Sequence, residues 1–314
     1  MVLAAGEGKR MRTGRAKVLH EAGGRALVDH VLAALEPFDP SPIVVVVGHL
    51  RAQVEAHLAG RNLALAVQDP PRGTGDAVAR ALPVLPEEGE TLVVSGDVPL
   101  ITSVSIEALV EFRRSRSAVA ALATAVLGDP GNYGRIVRNQ SGDVVAIVEA
   151  RETTVAQRGI REVNAGTYVF ELAVLRRAIP GLRPDNDQGE YYLTDVVGIL
   201  AAQGLRVAGL QLEDPAEMAG VNSRADLAEV HRLLNARIVR RLQEAGVTVL
   251  DVATTWVDAD CTVGADTVLE AGVHLRRGCV IGERCHIGAH SVLDGVTVPS
   301  GAAVPPLTFR REGE

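Results

Sequence analysis

The stretch Val2-Leu3-Ala4-Ala5-Gly6-Glu7-Gly8-Lys9-Arg10 stands at the start of the chain and decides the class of its fold. A short apolar run ends there in a glycine-rich turn that carries positive charge. Two later apolar runs, residues 43–47 and 92–94, also lead into glycine turns, and helix-like stretches lie between the runs. Fully apolar strands that alternate with helices are typical of a parallel, doubly wound α/β sheet. Ligands bind such sheets beyond the carboxyl ends of the strands, so we expect the site beside these turns.

The composition is that of a packed globular protein. Of its 314 residues 47% are hydrophobic but only 3% are aromatic, so aliphatic side chains must build the core. The net charge of -7 lacks the basic footprint of a general nucleic-acid binder. No apolar run approaches the about 18 residues of a membrane span, and the start lacks the charge order of a signal peptide. We therefore expect a cytoplasmic protein with neither nucleic-acid nor membrane partners.

A six-residue repeat after residue 246 predicts a second fold. One position of each six-residue repeat is apolar. A second position holds small or β-branched residues, which include the three cysteines and end at Thr297 and Ala303. We interpret the cysteines as core residues rather than a zinc site, because no His/Cys spacing matches one. Eight hexads in register predict a parallel β-helix of fewer than three coils, which needs a cap or identical partners on its open faces. The apolar slots are Val257, Val263, Leu269, Leu275, Ile281, Ile287 and Leu293, followed by Pro299.

Two motifs in the first half are suited to phosphate and metal chemistry. The first glycine turn lets backbone N–H groups approach a phosphate, and Arg10 and Lys17 supply charge. It is not a Walker A loop, because no Ser or Thr follows Gly8-Lys9, and Met11 occupies the third glycine position of a dinucleotide fingerprint. Asp97, after the third apolar run, is well placed to hold Mg²⁺, although a turn or helix cap would use an aspartate equally well.

Other polar residues cluster beside glycines later in the chain. Gln68 precedes a second glycine turn, Gly73-Thr74-Gly75, and its amide would suit a nucleobase. Five further segments carry short hydrogen-bonding groups that would suit a sugar and its amide, or that could equally bond their own backbone in loops. These segments are residues 131–136, 148–149, 163–166, 188–195 and 220–224.

In this order and at these spacings, the motifs resemble the GlmU family of bifunctional N-acetylglucosamine-1-phosphate uridyltransferases and glucosamine-1-phosphate acetyltransferases. The resemblance covers nearly the whole chain. It implies an α/β, doubly wound, Rossmann-like nucleotidyltransferase domain over residues 1–222. A connecting helix over 223–246 and a short left-handed parallel β-helix over 247–314 would follow.

The resemblance also implies a role for each site residue. Arg10 and Lys17 would be the catalytic residues that bind phosphates, and Asp97 and Asn222 would hold Mg²⁺. The N-acetyl sugar would be held by Gly134, Glu149 and Asn164. The nucleotide would be bound by Leu3, Ala4, Ala5, Gly6, Gln68, Gly73, Thr74, Ser95 and Gly96.

The sequence departs from the family pattern at several points. Ser95 stands where a Tyr is usual, and Asp76 where a His is usual, while Lys9 replaces a Thr and Ala16 a Pro. Loss of the aromatic face at Ser95 would loosen the preference for base or sugar. The repeat also stops before the coils that carry the acetyltransferase residues in the family. We therefore expect a single activity.

The implied activity is transfer of a uridylyl group from UTP to N-acetylglucosamine-1-phosphate, which gives pyrophosphate and UDP-N-acetylglucosamine for cell-wall precursors. The family resemblance also implies a homotrimer formed through the β-helix. Three alternatives stay open: a glucose-1-phosphate thymidylyl- or uridylyltransferase, a non-catalytic sugar-nucleotide sensor, and an acyltransferase. The last rests only on the hexapeptide tail, and a fold is a weak warrant for an activity.

Overall fold

The computed structural model describes residues 1–313, and these fall into two compact units. The first unit consists of Met1–His20 and Leu27–Ser223, and the second of Glu21–Ala26 and the chain from Arg224 onward. The three-part division made from the sequence remains a prediction, and the stretch expected to be a connector falls within the second unit except for Ser223. Glu314, the last residue of the predicted β-helix part, lies outside the described residues.

A nine-stranded sheet forms the centre of the first unit. Its strands are β1 (Val2–Ala4), β2 (Val44–Val47), β3 (Ala64–Val67), β4 (Glu90–Ser95), β5 (Ala120–Val126), β6 (Arg135–Arg138), β7 (Val144–Val148), β8 (Glu162–Glu171) and β9 (Val207–Gln211). The main path runs β9-β5-β8-β4-β1-β2-β3, and β6 pairs with both β7 and β8. Strands β1 to β4 pair in parallel with one another, whereas β8 runs antiparallel to β4 and β5.

The helices of the first unit lie between these strands in the chain. They are α1 (Leu27–Leu35), α2 (Arg51–Leu58), α3 (Thr74–Ala81), α4 (Ser103–Ser115), α5 (Val155–Arg158), α6 (Leu172–Ala178) and α7 (Asp195–Ala202). All four valines of β2 are fully buried, as expected for a parallel strand that is covered on both faces. The apolar runs predicted at 43–47 and 92–94 form β2 and the middle of β4, so the predicted α/β class is confirmed.

The second unit is a parallel β-helix that follows α8 (Arg224–Glu244). Within the described residues its strands form two four-stranded sheets and one three-stranded sheet, which is consistent with a left-handed β-helix. The chain therefore makes more than three turns of the helix, and the expectation of fewer than three is wrong. The strands are β10 (Thr248–Val249), β11 (Trp256–Val257), β12 (Thr262–Val263), β13 (Val268–Leu269), β14 (His274–Arg276), β15 (Val280–Ile281), β16 (His286–Ile287), β17 (Val292–Asp294), β18 (Thr297–Val298), β19 (Ala303–Val304) and β20 (Phe309–Arg311).

The register of the last hexads differs from the prediction. Val263 pairs with Ile281, eighteen positions later, but Ile281 pairs with Val298, only seventeen positions later. Val298 is buried, whereas Thr297 and Pro299 are exposed. The reason is a tighter corner at Gly295, which turns the chain at φ +71 with one residue fewer than the corners before it.

Consequently, Pro299 does not occupy the apolar slot, and Thr297 and Ala303 do not point into the interior as the six-residue repeat predicted. The three cysteines do occupy the interior, because Cys261, Cys279 and Cys285 are all buried with free thiols. None of the helices within residues 1–313 is both long and apolar enough to cross a bilayer.

The corrected register predicts effects of different size for two neighbouring substitutions. Val298→Ala should destabilise the β-helix by about 2 kcal/mol, because it removes two buried carbon atoms and leaves a cavity. Thr297→Ala should change the stability by less than about 0.5 kcal/mol, because that side chain faces solvent. Chemical denaturation followed by circular dichroism measures both values. A larger loss of stability in Thr297→Ala than in Val298→Ala would contradict this register and support an uninterrupted six-residue repeat.

Candidate functional site

A cavity of about 600 Å³ opens at the carboxyl ends of β1 and β4, where the doubly wound sheet was expected to bind its ligand. Every residue predicted to bind nucleotide lines it except Gly96, and so do all four predicted catalytic and metal residues. Gly96 instead donates its N–H to the carbonyl oxygen of Leu3 at 2.8 Å, which holds the end of β4 beside β1. The other lining residues are Glu7, Gly8, Lys9, Val18, Pro71, Ala77, Gln188 and Glu190.

The glycine turn after β1 folds over the stem of Lys17. Gly8 adopts a left-handed conformation at φ +61 and precedes a short 3₁₀ turn, Lys9–Met11. A Cβ atom on Gly8 would lie 3.0 Å from the Cβ of Lys17, closer than side-chain carbons normally approach. The turn thereby leaves Lys17 a path into the cavity, while the exposed side chain of Arg10 lines the same space.

Lys17 joins the two residues that were predicted to hold a metal. Its ammonium Nζ forms an ion pair with Asp97 Oδ2 and donates a hydrogen bond to Asn222 Oδ1 at 3.3 Å. The side chains of Lys17 and Asp97 are only 13% and 14% exposed, so the pair is screened less than a surface pair would be. The Val221 N–H also donates to the carbonyl oxygen of Asp97 at 3.0 Å, which fixes the segment before Asn222 to the end of β4.

This arrangement fits a hard divalent cation. Asp97 and Asn222 supply a carboxylate oxygen and an amide oxygen, and both already bind one positive charge, the ammonium of Lys17. Within residues 1–313 no group of three or more His, Cys, Asp or Glu side chains is placed to hold a metal. A site with two protein oxygens suits Mg²⁺, which keeps waters and substrate phosphates as its other ligands.

The second glycine turn packs tightly against the segment that contains Tyr191. Gly73 has φ +100, and a Cβ atom there would lie 2.5 Å from the carbonyl oxygen of Tyr191. The Gly75 N–H donates to that same carbonyl oxygen at 2.7 Å, and Thr74 Oγ1 accepts the N–H of Leu193 at 3.0 Å. Thr74 therefore anchors the segment as well as lining the cavity.

The residues predicted to hold the sugar form a second group: Gly134 directly precedes β6, Glu149 directly follows β7, and Asn164 lies in β8. The Asn164 N–H donates to the carbonyl oxygen of Gly134 at 2.9 Å. A Cβ atom on Gly134 would lie 3.7 Å from Glu149 Oε1. These three residues do not line the 600 Å³ cavity. One segment reaches both groups, because Glu190 lines the cavity and Thr194 Oγ1 donates to Glu149 Oε1 at 3.1 Å.

Sequence reasoning did not single out two side chains that fix this second group. Tyr168 accepts a hydrogen bond from Asn164 Nδ2 at 2.6 Å, and Gly166 N–H donates to Asn164 Oδ1 at 3.0 Å. Thr194 lies in the segment 188–195 that the sequence marked as polar, so a weak signal existed for it. Tyr168 had none, because a register shift between Asn164 and Tyr168 in β8 brings the two side chains together.

The electrostatics of this second group are unfavourable for negative charge. Burial raises the pKa of Glu149, and the nearby carboxylates of Glu152 and Asp195 raise it further, while the Thr194 hydroxyl opposes the shift. Burial and Glu152 raise the pKa of Asp195 in the same way. Burial also raises the pKa of Tyr168, so its hydroxyl stays protonated.

A family model for the MobA-like NTP transferase domain matches residues 1–168, which include the glycine turn, Lys17 and Asp97. The chain belongs to this family. A second model, of the bacterial transferase hexapeptide with six repeats, matches residues 260–302 of the β-helix.

The chain is 45% identical over 312 residues to the bifunctional protein GlmU of Mycobacterium bovis BCG Pasteur, an alignment that covers 97% of the chain and 63% of that relative. It is also 45% identical over 280 residues to the bifunctional protein GlmU of Mycobacterium avium, with 87% and 57% covered. The resemblance to GlmU is therefore confirmed, and the chain spans less than two thirds of the length of these relatives.

A solved structure shares the fold of the NTP transferase domain. It is that of a Bacillus anthracis protein, assigned as a glucose-1-phosphate thymidylyltransferase and crystallised in complex with a sucrose. The match has a TM-score of 0.60 at 20% identity and covers 74% of this chain and 93% of the other. At that identity the likeness concerns the fold alone.

The raised pKa of Glu149 predicts that Glu149→Gln stabilises the protein at neutral pH. A carboxyl whose pKa is higher in the folded state destabilises the fold where it is ionised, and has no effect where it is protonated in both states. The gain should thus be absent below pH 4.5, the ordinary pKa of the group, and should grow as the pH rises above it. Melting temperatures of both proteins across that range measure it. A constant difference at all pH values would show that Glu149 carries no raised pKa.

Proposed function

We propose that this protein transfers a uridylyl group from UTP to N-acetylglucosamine-1-phosphate, with release of pyrophosphate. The product, UDP-N-acetylglucosamine, would serve cell-wall precursor synthesis. The observation that carries the proposal is the convergence of Lys17, Asp97 and Asn222 at one edge of the cavity beside the glycine turn. The similarity to proteins named GlmU supports the choice of both substrates.

The chemistry of this reaction suits a site of charges rather than one of acids and bases. The attacking group is an oxygen of the sugar-1-phosphate, which is already an anion, and its target is the α-phosphorus of UTP. A bond forms between them while the bond to the β-phosphate oxygen breaks and pyrophosphate leaves. The obstacle is the mutual repulsion of two polyanions, so positioning and charge neutralisation supply most of the rate.

Lys17 and Arg10 would neutralise the phosphates. Lys17 is held by Asp97 and Asn222 before any substrate arrives, so its ammonium is oriented at low entropic cost. Arg10 is exposed on the cavity wall and would reach the leaving end of the nucleotide from the glycine turn. Backbone N–H groups of the turn, from Ala5 to Gly8, would approach the phosphate oxygens without a side chain between them.

Asp97 and Asn222 would hold the divalent cation, which we propose to be Mg²⁺. When bound, such an ion screens the phosphate charges and fixes the geometry of the two reacting groups. Lys17, which lies against both of these side chains, would be placed to turn its ammonium toward the phosphates.

The remaining predicted residues would divide between the base and the sugar. Gln68, Gly73 and Thr74 lie on the wall that would face the base, and Gly134, Glu149 and Asn164 would bind the sugar ring and its N-acetyl group. The side-chain amide of Asn164 is held in a fixed orientation, because its Oδ1 accepts the N–H of Gly166 and its Nδ2 donates to the hydroxyl of Tyr168. One Nδ2 hydrogen of Asn164 would remain for the acetyl oxygen.

Ser95 lines the cavity where the family pattern has a tyrosine, and this observation favours one alternative substrate set. A site with a smaller side chain there would accept thymidine nucleotides or glucose-1-phosphate more readily. A sensor without turnover is disfavoured, because Lys17, Asp97 and Asn222 are all present. A matrix of four sugar-1-phosphates against UTP, dTTP, CTP and ATP, read by pyrophosphate release, decides among these functions.

We also propose that the protein acts in the cytoplasm and forms a homotrimer through its β-helix. The first proposal follows from its substrates, which are made there, and the second from the resemblance to GlmU. Sedimentation velocity at micromolar concentration tests the trimer, which would have a mass three times the 33.1 kDa of one chain.

Asp97→Asn and Lys17→Met should each lower kcat at least about a hundredfold, the usual loss when one preorganised charge is removed from a phosphoryl or acyl transfer site. Neither should lower the melting temperature by more than a few degrees, because both side chains lie at the cavity surface. Asp69→Asn is the matched control, since Asp69 is exposed and does not line the cavity. Pyrophosphate release that persists in the Asp97 or Lys17 variant would remove the role assigned to that residue.

Removal of divalent metal should abolish turnover, and Mg²⁺ should restore it. Asn222→Ala should raise the Mg²⁺ concentration for half-maximal activity by about tenfold, because one of two protein oxygens is lost. Lys17→Met should leave that concentration unchanged or lower it, since the ammonium competes with the metal for Asp97. Titration of chelator-treated protein with Mg²⁺ measures both values, and equal behaviour of the two variants would refute the assignment of Asn222 as a ligand.

A further inference from the structure

Gln68 presents a fixed polarity to the cavity. Its side chain is buried, with the residue only 3% exposed, and its Nε2 donates to the carbonyl oxygen of Gly73 at 2.8 Å and to Asp76 Oδ2 at 2.9 Å. Both partners can only accept hydrogen bonds, so the reverse orientation would place the amide oxygen against two other oxygens. With both Nε2 hydrogens used, the group that Gln68 offers to a ligand is its carbonyl Oε1.

Asp76 maintains this orientation because an ion pair with Arg72 holds its side chain in place. It lies in the first turn of α3, is 7% exposed, and receives Arg72 Nη2 on its other oxygen at 3.0 Å. Arg80 Nε lies 3.5 Å from that same oxygen. Both oxygens of Asp76 are therefore bound by donors, one from Gln68 and the other from Arg72. An ionised carboxylate is acceptor-only, so it cannot donate to Oε1 and turn the amide round.

We propose that Asp76 is a positioning residue that selects the nucleobase through Gln68. In uracil and thymine N3 carries a hydrogen and donates, whereas in cytosine N3 is an acceptor. The fixed Oε1 of Gln68 can accept the N3 hydrogen of uracil or thymine. It repels N3 of cytosine, because two buried acceptors that face each other are left unpaired. This inference rests on the proposed function, since it concerns the base of the nucleotide that the cavity would bind.

A structural role for Asp76 makes a different prediction. If the carboxylate only ties Arg72 and Arg80 to α3, its loss would weaken the fold and the binding of all nucleotides alike. If it orients Gln68, its loss frees the amide to rotate, and the ratio of affinities for UTP and CTP must change. The ratio, and not either affinity alone, therefore separates the two roles.

The test compares Asp76→Leu with Asp76→Asn by equilibrium binding of Mg²⁺-UTP and Mg²⁺-CTP to the full chain. Leu has a similar size but no acceptor, so the preference for UTP over CTP should fall at least about tenfold, as expected when a hydrogen bond to a charged partner is lost. Asn keeps one acceptor oxygen for Gln68 Nε2 and should retain more of the preference than Leu. An unchanged ratio in Asp76→Leu would overturn the inference.

Val78→Ala is the matched control for stability. Val78 lies on the same helix, is fully buried in the core and does not line the cavity. It should lower the melting temperature and leave the UTP to CTP ratio within about twofold of the wild type. A loss of base preference in this variant equal to that in Asp76→Leu would mean that preference follows stability, which would also overturn the inference.

A substrate-side test needs no variant. Wild-type protein should bind 3-methyl-UTP, which lacks the N3 hydrogen, at least about a hundredfold more weakly than UTP, while 5-methyl-UTP, of the same size, should bind within about tenfold. Equal weakening by both analogues would overturn the inference. The result is independent of the proposed activity: a protein that discriminates these nucleotides but releases no pyrophosphate with any sugar-1-phosphate would refute the proposed function and leave the selection by Gln68 standing.

Discussion

The site depends on one ammonium group that is held between a carboxylate and an amide. Asp97 follows β4, Asn222 lies between β9 and α8, and Lys17 follows the glycine turn after β1. Three separate parts of the chain must therefore be in place before the charge is positioned. Because the ion pair is largely shielded from water, salt screens it less than it screens a surface pair.

The glycine turns follow from this requirement. Lys17 can reach Asp97 only if the preceding loop passes close over its stem, and the backbone at Gly8 makes that passage without a Cβ atom. Gly73 has the same function on the opposite wall, where α3 begins against the carbonyl group of Tyr191. Both of these glycines line the cavity. Small residues thus shape the site as much as the charged ones do.

The sequence was sufficient for the sheet and for most of the residues that line the cavity. Short apolar runs before glycines marked the parallel strands, and parallel strands bring their carboxyl ends to one edge, so Lys17 and Asp97 were expected together. The second group of predicted residues was harder, because Asn164 and Tyr168 meet through a register shift in β8 that no local pattern reports. The interaction of Asp76 with Gln68 was also hidden, since two residues eight positions apart meet only when a tight turn intervenes.

The corner at Gly295 shows what such repeats measure. A β-helix keeps its interior dry by stacking each strand on the strand below. Where Gly295 makes the turn, a spacing of five residues between the buried Leu293 and Val298 preserves that stacking as well as the earlier spacing of six. A fixed count of six residues is therefore wrong after this corner, and the buried apolar positions are Val298 and Val304 rather than Pro299 and the residue six places later. In a solenoid, contacts between successive layers decide which residues face the interior. The spacing in the sequence reports those positions only while all corners have the same length.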